Sequence, residues 1–317
     1  MSKQDFDITY FADVVAKPVE WLWYPYIPYG KITILQGDPG EGKTSFVLDL
    51  LARMSNDGYL PFSSARVSGI SIYQNSEDDI SDTIKPRLEK SGACCERICF
   101  IENSEEHLEL GDTYIEDAIV SSEARIIVLD PIQSFLGAKC DINRASNIRP
   151  KMTQLKEIAA RTGCAIILVG HLNKNASGKS NYRGLGSIDI SAAARSILYI
   201  GKLPSDPSKR ALAQLKNNLA PLGQTLCFSL DEGVVEWHGA LDITADELIA
   251  VPKGKSPEVK EAIAFLNEQL GSGSCRSNEL LKAAEENGFS MRALLAAKAQ
   301  MPIRSIKRGN LWYWEIV

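Results

Sequence analysis

Several absences narrow the field first. No apolar run in the 317 residues reaches the length needed to span a bilayer. The opening Met1-Ser2-Lys3-Gln4-Asp5 lacks the apolar core of a secretory signal, so a cytoplasmic protein with no membrane contact is the expectation. Seven cysteines is an odd number without a regular framework. Cys94, Cys95 and Cys99 cluster, but no second Cys/His pair stands at zinc-site spacing, and they read as reduced thiols. Excess positive charge is also missing: 35 Lys+Arg against 40 Asp+Glu give a net charge of −5, which argues against a polybasic nucleic-acid binder but leaves local basic surfaces open. The length suits one large α/β domain plus a small second one.

What is present centres on Gly37-Asp38-Pro39-Gly40-Glu41-Gly42-Lys43-Thr44, which fills the Gly-x-x-x-x-Gly-Lys-Ser/Thr template of a phosphate-binding loop. The short β-rich run Ile32–Leu35 precedes it, and Ser45–Arg53 reads as a helix opened by it. Glycines let backbone N–H groups turn inward on phosphate oxygens, and the helix N-terminus adds partial positive charge. In this reading Gly37 to Ser45 cradle ATP, Lys43 reaches the β- and γ-phosphates, and the Thr44 hydroxyl ligates Mg²⁺.

Upstream, Trp21-Leu22-Trp23-Tyr24-Pro25-Tyr26 reads either as rings covering a sheet edge or as a platform for the nucleotide base. A second strand over Val67–Asn75 runs into Ser76-Glu77-Asp78-Asp79, which is an N-cap for a helix to about Lys90, a ligand-side acidic cluster, or both. Arg97–Ile101 reads as a third strand and the acidic stretch 104–117 as surface. Ala124–Asp130 is an apolar strand ending in a carboxylate. Asp130 either holds the Mg²⁺ shell or caps the next loop. A long loop is expected from Pro131 to Pro150, then a helix over Lys151–Arg161 and a strand over Cys164–Gly170 that delivers His171 to the edge shared by Glu77 and Asp130.

Residues 172–187 carry Lys174, Lys179 and Arg183 and no acidic side chain, which suits either a solvated loop or a contact to a nucleic-acid backbone. Four further strands, from Arg195 to Trp237, read as an antiparallel extension of the sheet. The composition gives domain bounds of 1–245, a linker at 246–256 and a second unit at 257–317. In that unit Val259, Ile263, Leu266 and Leu270 share one helical face, a second helix starts near Ser277, and Ser290 caps a third with Arg292 and Lys298 exposed. A hairpin with a basic Gly-Asn tip follows over Ile303–Ile316, making a winged helix-turn-helix that supports DNA binding, the hairpin as wing and the third helix in the major groove. Its eight basic and seven acidic side chains over 256–317 leave double-stranded DNA and a protein partner equally open.

The order of these elements resembles the RecA-like ATPases, and among them the RepA-type hexameric helicases of plasmids, phages and integrated elements. The likeness is carried by Trp21-Leu22-Trp23, Ile27–Lys31, the phosphate loop, Ser76-Glu77-Asp78, Leu129-Asp130-Pro131, Gly170–Lys174, Arg183-Gly184, Gly186-Ser187, Ala193–Ser196 and Lys216-Asn217-Asn218, over roughly residues 10–240. The resemblance implies an α/β fold with a RecA-like, mostly parallel sheet and flanking helices. It also implies a ring-shaped homo-oligomer, a hexamer, acting on single-stranded DNA as a replicative helicase or translocase. The alternative is an ATP-switched regulator, loader or recombination accessory that does not unwind. Under the same resemblance Glu77 is the general base, His171 senses the γ-phosphate, and Lys216, Arg195 or, third, Arg183 supplies a cation to the neighbouring subunit's site. DnaB-type helicases have Lys-x-Arg where this chain has Lys216-Asn217-Asn218.

Overall fold

A computed structural model describes residues 8–102, 108–137, 145–171, 188–203, 205–250, 257–271, 273–308 and 311–316. In chain order the elements are β1 (Trp21–Trp23), β2 (Ile27–Pro28), β3 (Ile32–Gly37), α1 (Lys43–Ser55), β4 (Ile70–Asn75), α2 (Lys85–Lys90), β5 (Ile98–Cys99), α3 (Thr113–Ser122), β6 (Ala124–Asp130), α4 (Ala145–Thr162), β7 (Ala165–His171) and α5 (Ile188–Ala193). Then come β8 (Ser196–Lys202), β9 (Lys209–Asn217), β10 (Thr225–Asp231), β11 (Val234–Leu241), α6 (Ala245–Ala250), α7 (Pro257–Leu270), β12 (Cys275–Arg276), α8 (Ser277–Glu286), α9 (Met291–Ala299), β13 (Ile303–Arg308) and β14 (Leu311–Ile316).

One sheet runs β11-β10-β9-β8-β3-β7-β6-β4-β5. Its pairs are parallel from β5 through β8 and antiparallel from β8 to β11. The central strands read as unbroken apolar runs because both faces are covered. Successive residues point to opposite faces: Leu35, Ile126 and Val128 join the core under α1 and α2, while Ile34, Ile127 and Leu129 join the core under α3, α4 and α5. Trp23 and Tyr26 are buried against Phe46 and Trp237, so those two rings are packing, whereas Tyr24 is exposed. Asp49, buried mid-helix, accepts hydrogen bonds from Trp237 Nε1 at 3.0 Å and Arg53 Nε at 2.9 Å, which ties α1 to β11.

The structure corrects several sequence expectations. The stretch 104–117 is not all surface: Leu108, Leu110 and Ile115 are buried, and α3 begins at Thr113. Instead of a loop to Pro150, a 3-10 turn covers Ile132–Phe135 and α4 starts at Ala145, with Pro150 inside it. Pro150, sixth in the helix, has no N–H to give the carbonyl one turn earlier, so one hydrogen bond is missing there while the helix continues to Thr162. The helix expected from Asp79 to Lys90 is divided. Asp79 caps it, accepting from Ser81 N and Asp82 N, but Ile80–Ile84 forms a wider π turn and α2 starts at Lys85. Pro86 has no N–H to continue a tighter ladder. β4 starts at Ile70 rather than Val67, after Gly69, whose φ of +139° and close approach to Arg125 exclude a side chain. The third strand shrinks to Ile98–Cys99. The first strand of the supposed antiparallel extension, β8, is parallel to β3.

At the C-terminal end, α7, α8 and α9 pack around Leu266, Leu280, Leu294 and Trp314, and β12-β14-β13 form a separate three-stranded sheet. Helix α6 occupies the first part of the stretch expected as linker and packs on α9. Lys298 is not exposed. Its side chain is 13% accessible, pairs with Glu247 at 3.5 Å and lies 4.2 Å from the Trp314 ring. The side chain of Arg292 lies outside the described residues.

Candidate functional site

The phosphate loop joins the end of β3 to the start of α1, and two of its glycines are structurally required. A Cβ on Gly37 would stand 2.3 Å from the Ile200 carbonyl oxygen of β8, and Gly42 holds φ at +94° immediately before the helix. Gly42 offers no side-chain cap. The first N–H groups of α1 therefore face the loop without a side-chain acceptor on that residue, the arrangement that favours an anion.

Lys43 is 5% exposed. Its Nζ donates to Gly37 O and Asp38 O, both at 2.9 Å. Burial lowers its pKa, while Asp130, Asp38, Glu41 and Glu77 oppose that shift. Asp130, at the end of β6, is equally buried and accepts from Tyr73 OH at 2.9 Å and Thr44 Oγ1 at 3.2 Å. Burial raises its carboxyl pKa against those two hydrogen bonds, and burial likewise raises that of Tyr73. Thr44 and Asp130 thus offer hard oxygen donors side by side, the chemistry Mg²⁺ selects.

Glu77 lies past the end of β4, exposed, and its backbone N–H donates to Asn75 Oδ1 at 2.9 Å. Asn75 Nδ2 in turn donates to Tyr73 OH at 3.1 Å. A continuous chain of hydrogen bonds therefore runs from Asp130 through Tyr73 and Asn75 to the turn that carries Glu77. Lys43, Thr44, Glu77 and Asp130 line one cleft of about 650 Å³, a size that suits a nucleoside triphosphate. Its far walls are Arg87 and Lys90 of α2 and Leu230, Glu232 and Val234 around the β10–β11 turn, with Lys90 paired to Glu232 at 2.5 Å.

The other expected residues fall elsewhere. His171 ends β7 directly opposite Gly37 in parallel register, and its side chain lies outside the described residues. Lys174, Lys179 and Arg183 also lie outside them. Lys216 pairs with Ile197, and Arg195 stands just before Ser196, which pairs with Thr33. Arg195 is therefore level with Ile32, ~17 Å of strand from Gly37, and Lys216 level with Ile34, ~10 Å from it, by the usual rise per residue. Lys216 Nζ donates to Ser191 O at 2.8 Å and Ala194 O at 2.9 Å, closing the end of α5. Neither cation stands at the phosphate loop of its own chain.

Sequence reasoning missed Tyr73, Asn75, Arg87, Lys90, Glu232 and Arg210. Tyr73 and Asn75 alternate on β4 just before the acidic turn, a period-two signal that could have been read. Arg210 packs against the phosphate loop from β9, with its Cδ 3.5 Å from where a Gly42 Cβ would stand. Nothing local in the sequence marks it.

Comparison with known proteins agrees with this geometry. A family model described as an AAA domain matches residues 6–177. The DNA repair protein RadA of Mycolicibacterium smegmatis is 24% identical over 295 residues, covering 87% of this chain and 57% of its own length. RadA of Bacillus subtilis is 29% identical over 154 residues, covering 47% of this chain and 29% of that protein. The chain thus spans between about a third and somewhat over half of these curated relatives. In fold it is similar to a KaiC-like protein of Pyrococcus horikoshii OT3, with a TM-score of 0.50 at 17% identity over 67% of this chain and 91% of that one. The fold is that of a RecA-like P-loop ATPase, and the chain belongs to the AAA domain family.

Proposed function

We propose that this chain is an oligomeric ATPase that hydrolyses ATP between subunits and acts on single-stranded DNA. The observation that carries the hydrolytic half is the convergence of Lys43, Thr44, Glu77 and Asp130 on one cleft. Lys43 exchanges its two loop carbonyls for β- and γ-phosphate oxygens. Glu77, held by Asn75, orients the attacking water and takes its proton. Thr44 and Asp130 would hold Mg²⁺, which when bound offsets charge on the transferring phosphoryl group. His171 monitors the terminal phosphate from the adjacent strand end and passes its loss to the segment 172–187, where Lys174, Lys179 and Arg183 contact the DNA backbone.

The inter-subunit half is supported by the distance of Lys216 and Arg195 from their own phosphate loop. A neighbour in a ring, proposed as a hexamer, presents that end of its sheet to the open cleft, and one of these cations, or Arg183, neutralises transition-state charge. Residues 1–245 are proposed as the ATPase unit, 246–256 as the joint and 257–317 as a winged helix-turn-helix unit. Within this reading the protein is a helicase or translocase of a mobile element. The likeness to proteins named for DNA repair favours a second reading, a recombination accessory that uses ATP for assembly without unwinding.

Hydrolysis with and without single-stranded DNA, run beside a strand-separation assay, tests both. Stimulation with unwinding supports the motor. Stimulation without unwinding supports the accessory, and no hydrolysis under either condition overturns both.

A further inference from the structure

The C-terminal sheet displays charge outward. Pairing of β13 with β14 sets Arg304 opposite Glu315, Ile306 opposite Tyr313 and Arg308 opposite Leu311, so these residues share one face, and β12 adds Arg276 opposite Tyr313. The reverse face holds Trp314, buried in the C-terminal core, so the arginine face looks away from the helices. The Arg276, Arg304 and Arg308 side chains are 51%, 61% and 55% exposed. Glu315, at 17%, lies beneath Arg304 and Arg308. Arg276 Nε donates to Tyr313 OH at 3.2 Å, and the Arg308 guanidinium stands 5.2 Å from the Tyr313 ring. On the reverse face, beyond the buried Trp314 and toward the free end of the hairpin, Trp312 is 48% exposed with Lys307 Nζ 5.9 Å from its ring.

Helix α9, which the sequence suggested as a groove reader, is poorly placed for that role. Ala293, Leu294, Ala296 and Ala297 are buried, α6 packs on it, and Lys298 is occupied by Glu247, Ser305 and Trp314.

We propose that the outer face and free end of the β12-β14-β13 sheet, rather than α9, bind single-stranded nucleic acid. Arg276, Arg304 and Arg308 take phosphates on the outer face, and where the strand passes round the free end of the hairpin Trp312, on the reverse face, stacks on an unpaired base. Each guanidinium has five donors, more than Glu315 and Glu279 can occupy, so outward N–H groups remain for phosphate oxygens. An accessible indole beside a lysine offers a π-face that a paired, stacked base cannot use, which favours a single strand over a duplex. This contact is additional to the proposed one at residues 172–187 and does not rest on ATP hydrolysis.

The test uses the full chain and fluorescein-labelled dT20, with a 20-base-pair duplex in parallel, read by fluorescence anisotropy across a salt series. Removing Lys174, Lys179 and Arg183 together (each →Ala) isolates the C-terminal contribution and tests the earlier reading separately. In that background Arg304→Ala with Arg308→Ala is expected to weaken dT20 binding and flatten the slope of log K against log salt by about 1.4, the value for two phosphates on a single strand. Trp312→Ala is expected to weaken binding about ten-fold with the slope kept. Arg304→Lys with Arg308→Lys, which retains charge, is expected to keep the slope, and matching thermal melts check the fold. Unchanged affinity and slope in the Arg→Ala pair overturn the proposal, as does tighter binding of the duplex than of dT20. Loss of binding in the loop variant alone, with none left to assign, also overturns it.

Discussion

The two ends of the central sheet are built from the same strands and hold charge in opposite ways. Where β3, β4 and β6 finish, Lys43 and Asp130 are buried, and Thr44, Tyr73 and Asn75 bind them into one hydrogen-bonded set. Where β3 and β8 begin, Arg195 is exposed and Lys216 is spent on the carbonyl oxygens that end α5. The first end is assembled within one chain. The second has cations and no phosphate site of its own, and under the proposed function it becomes useful only against another copy.

The largest effect that would break this contrast is at the phosphate loop. Lys43→Ala is expected to abolish ATP binding in a fluorescent-nucleotide titration, because it removes the ammonium that the loop carbonyls of Gly37 and Asp38 hold in place for the phosphates. Wild-type affinity in that variant would remove the loop from the account. Glu77→Gln is expected to bind ATP and assemble while turnover falls by on the order of 10³ or more. Normal turnover would assign the base to another group.

At the other end, whichever of Arg195→Ala and Lys216→Ala removes the trans-acting cation should lower turnover by roughly 10²-fold with ATP affinity retained, the size of effect typical of losing one transition-state donor. Lys216→Ala should also cost about 1 kcal/mol of stability, since Ser191 O and Ala194 O lose their partner. A stability loss without a turnover loss would make Lys216 a helix cap alone.

The smallest expected effect sharpens the comparison through pH. Burial raises the Asp130 pKa in the folded chain, so its contribution to stability is fully present below the unfolded carboxyl pKa and is lost as pH rises through the folded value. Asp130→Asn should therefore raise the melting temperature of the nucleotide-free protein by roughly a few degrees at pH 7. The gain should vanish toward pH 3, below the ordinary aspartate value of 3.8. An equal gain at both pH values would show that the carboxylate charge is not the cause.

Much of this site could be read from local spelling. The glycine spacing, the apolar run before it and the acidic residues past β4 and β6 are each contiguous, and parallel register brings their ends together. The cleft's far wall was not legible, because Arg87, Lys90 and Glu232 meet only when α2 and the β10–β11 turn fold over the loop. α3 escaped notice because Glu116 and Asp117 mark its outer side while only Ile115 and Ile119 mark the buried one. Lys298 was misplaced for the converse reason: a charge near the end of an alanine-rich helix reads as solvent-facing until Trp314 and Glu247 arrive from distant segments.

The completion of one copy's cleft by the opposite sheet end of the next is tested most directly by mixing two inactive proteins. Glu77→Gln supplies an intact Arg195 and Lys216. The Arg195→Ala/Lys216→Ala double variant supplies an intact cleft. Co-assembly at equal amounts, confirmed by light scattering with ATP, is expected to restore about a quarter of wild-type turnover, since random placement around a ring pairs the two intact halves at one interface in four. A co-assembled mixture no more active than its separate components would contradict the account.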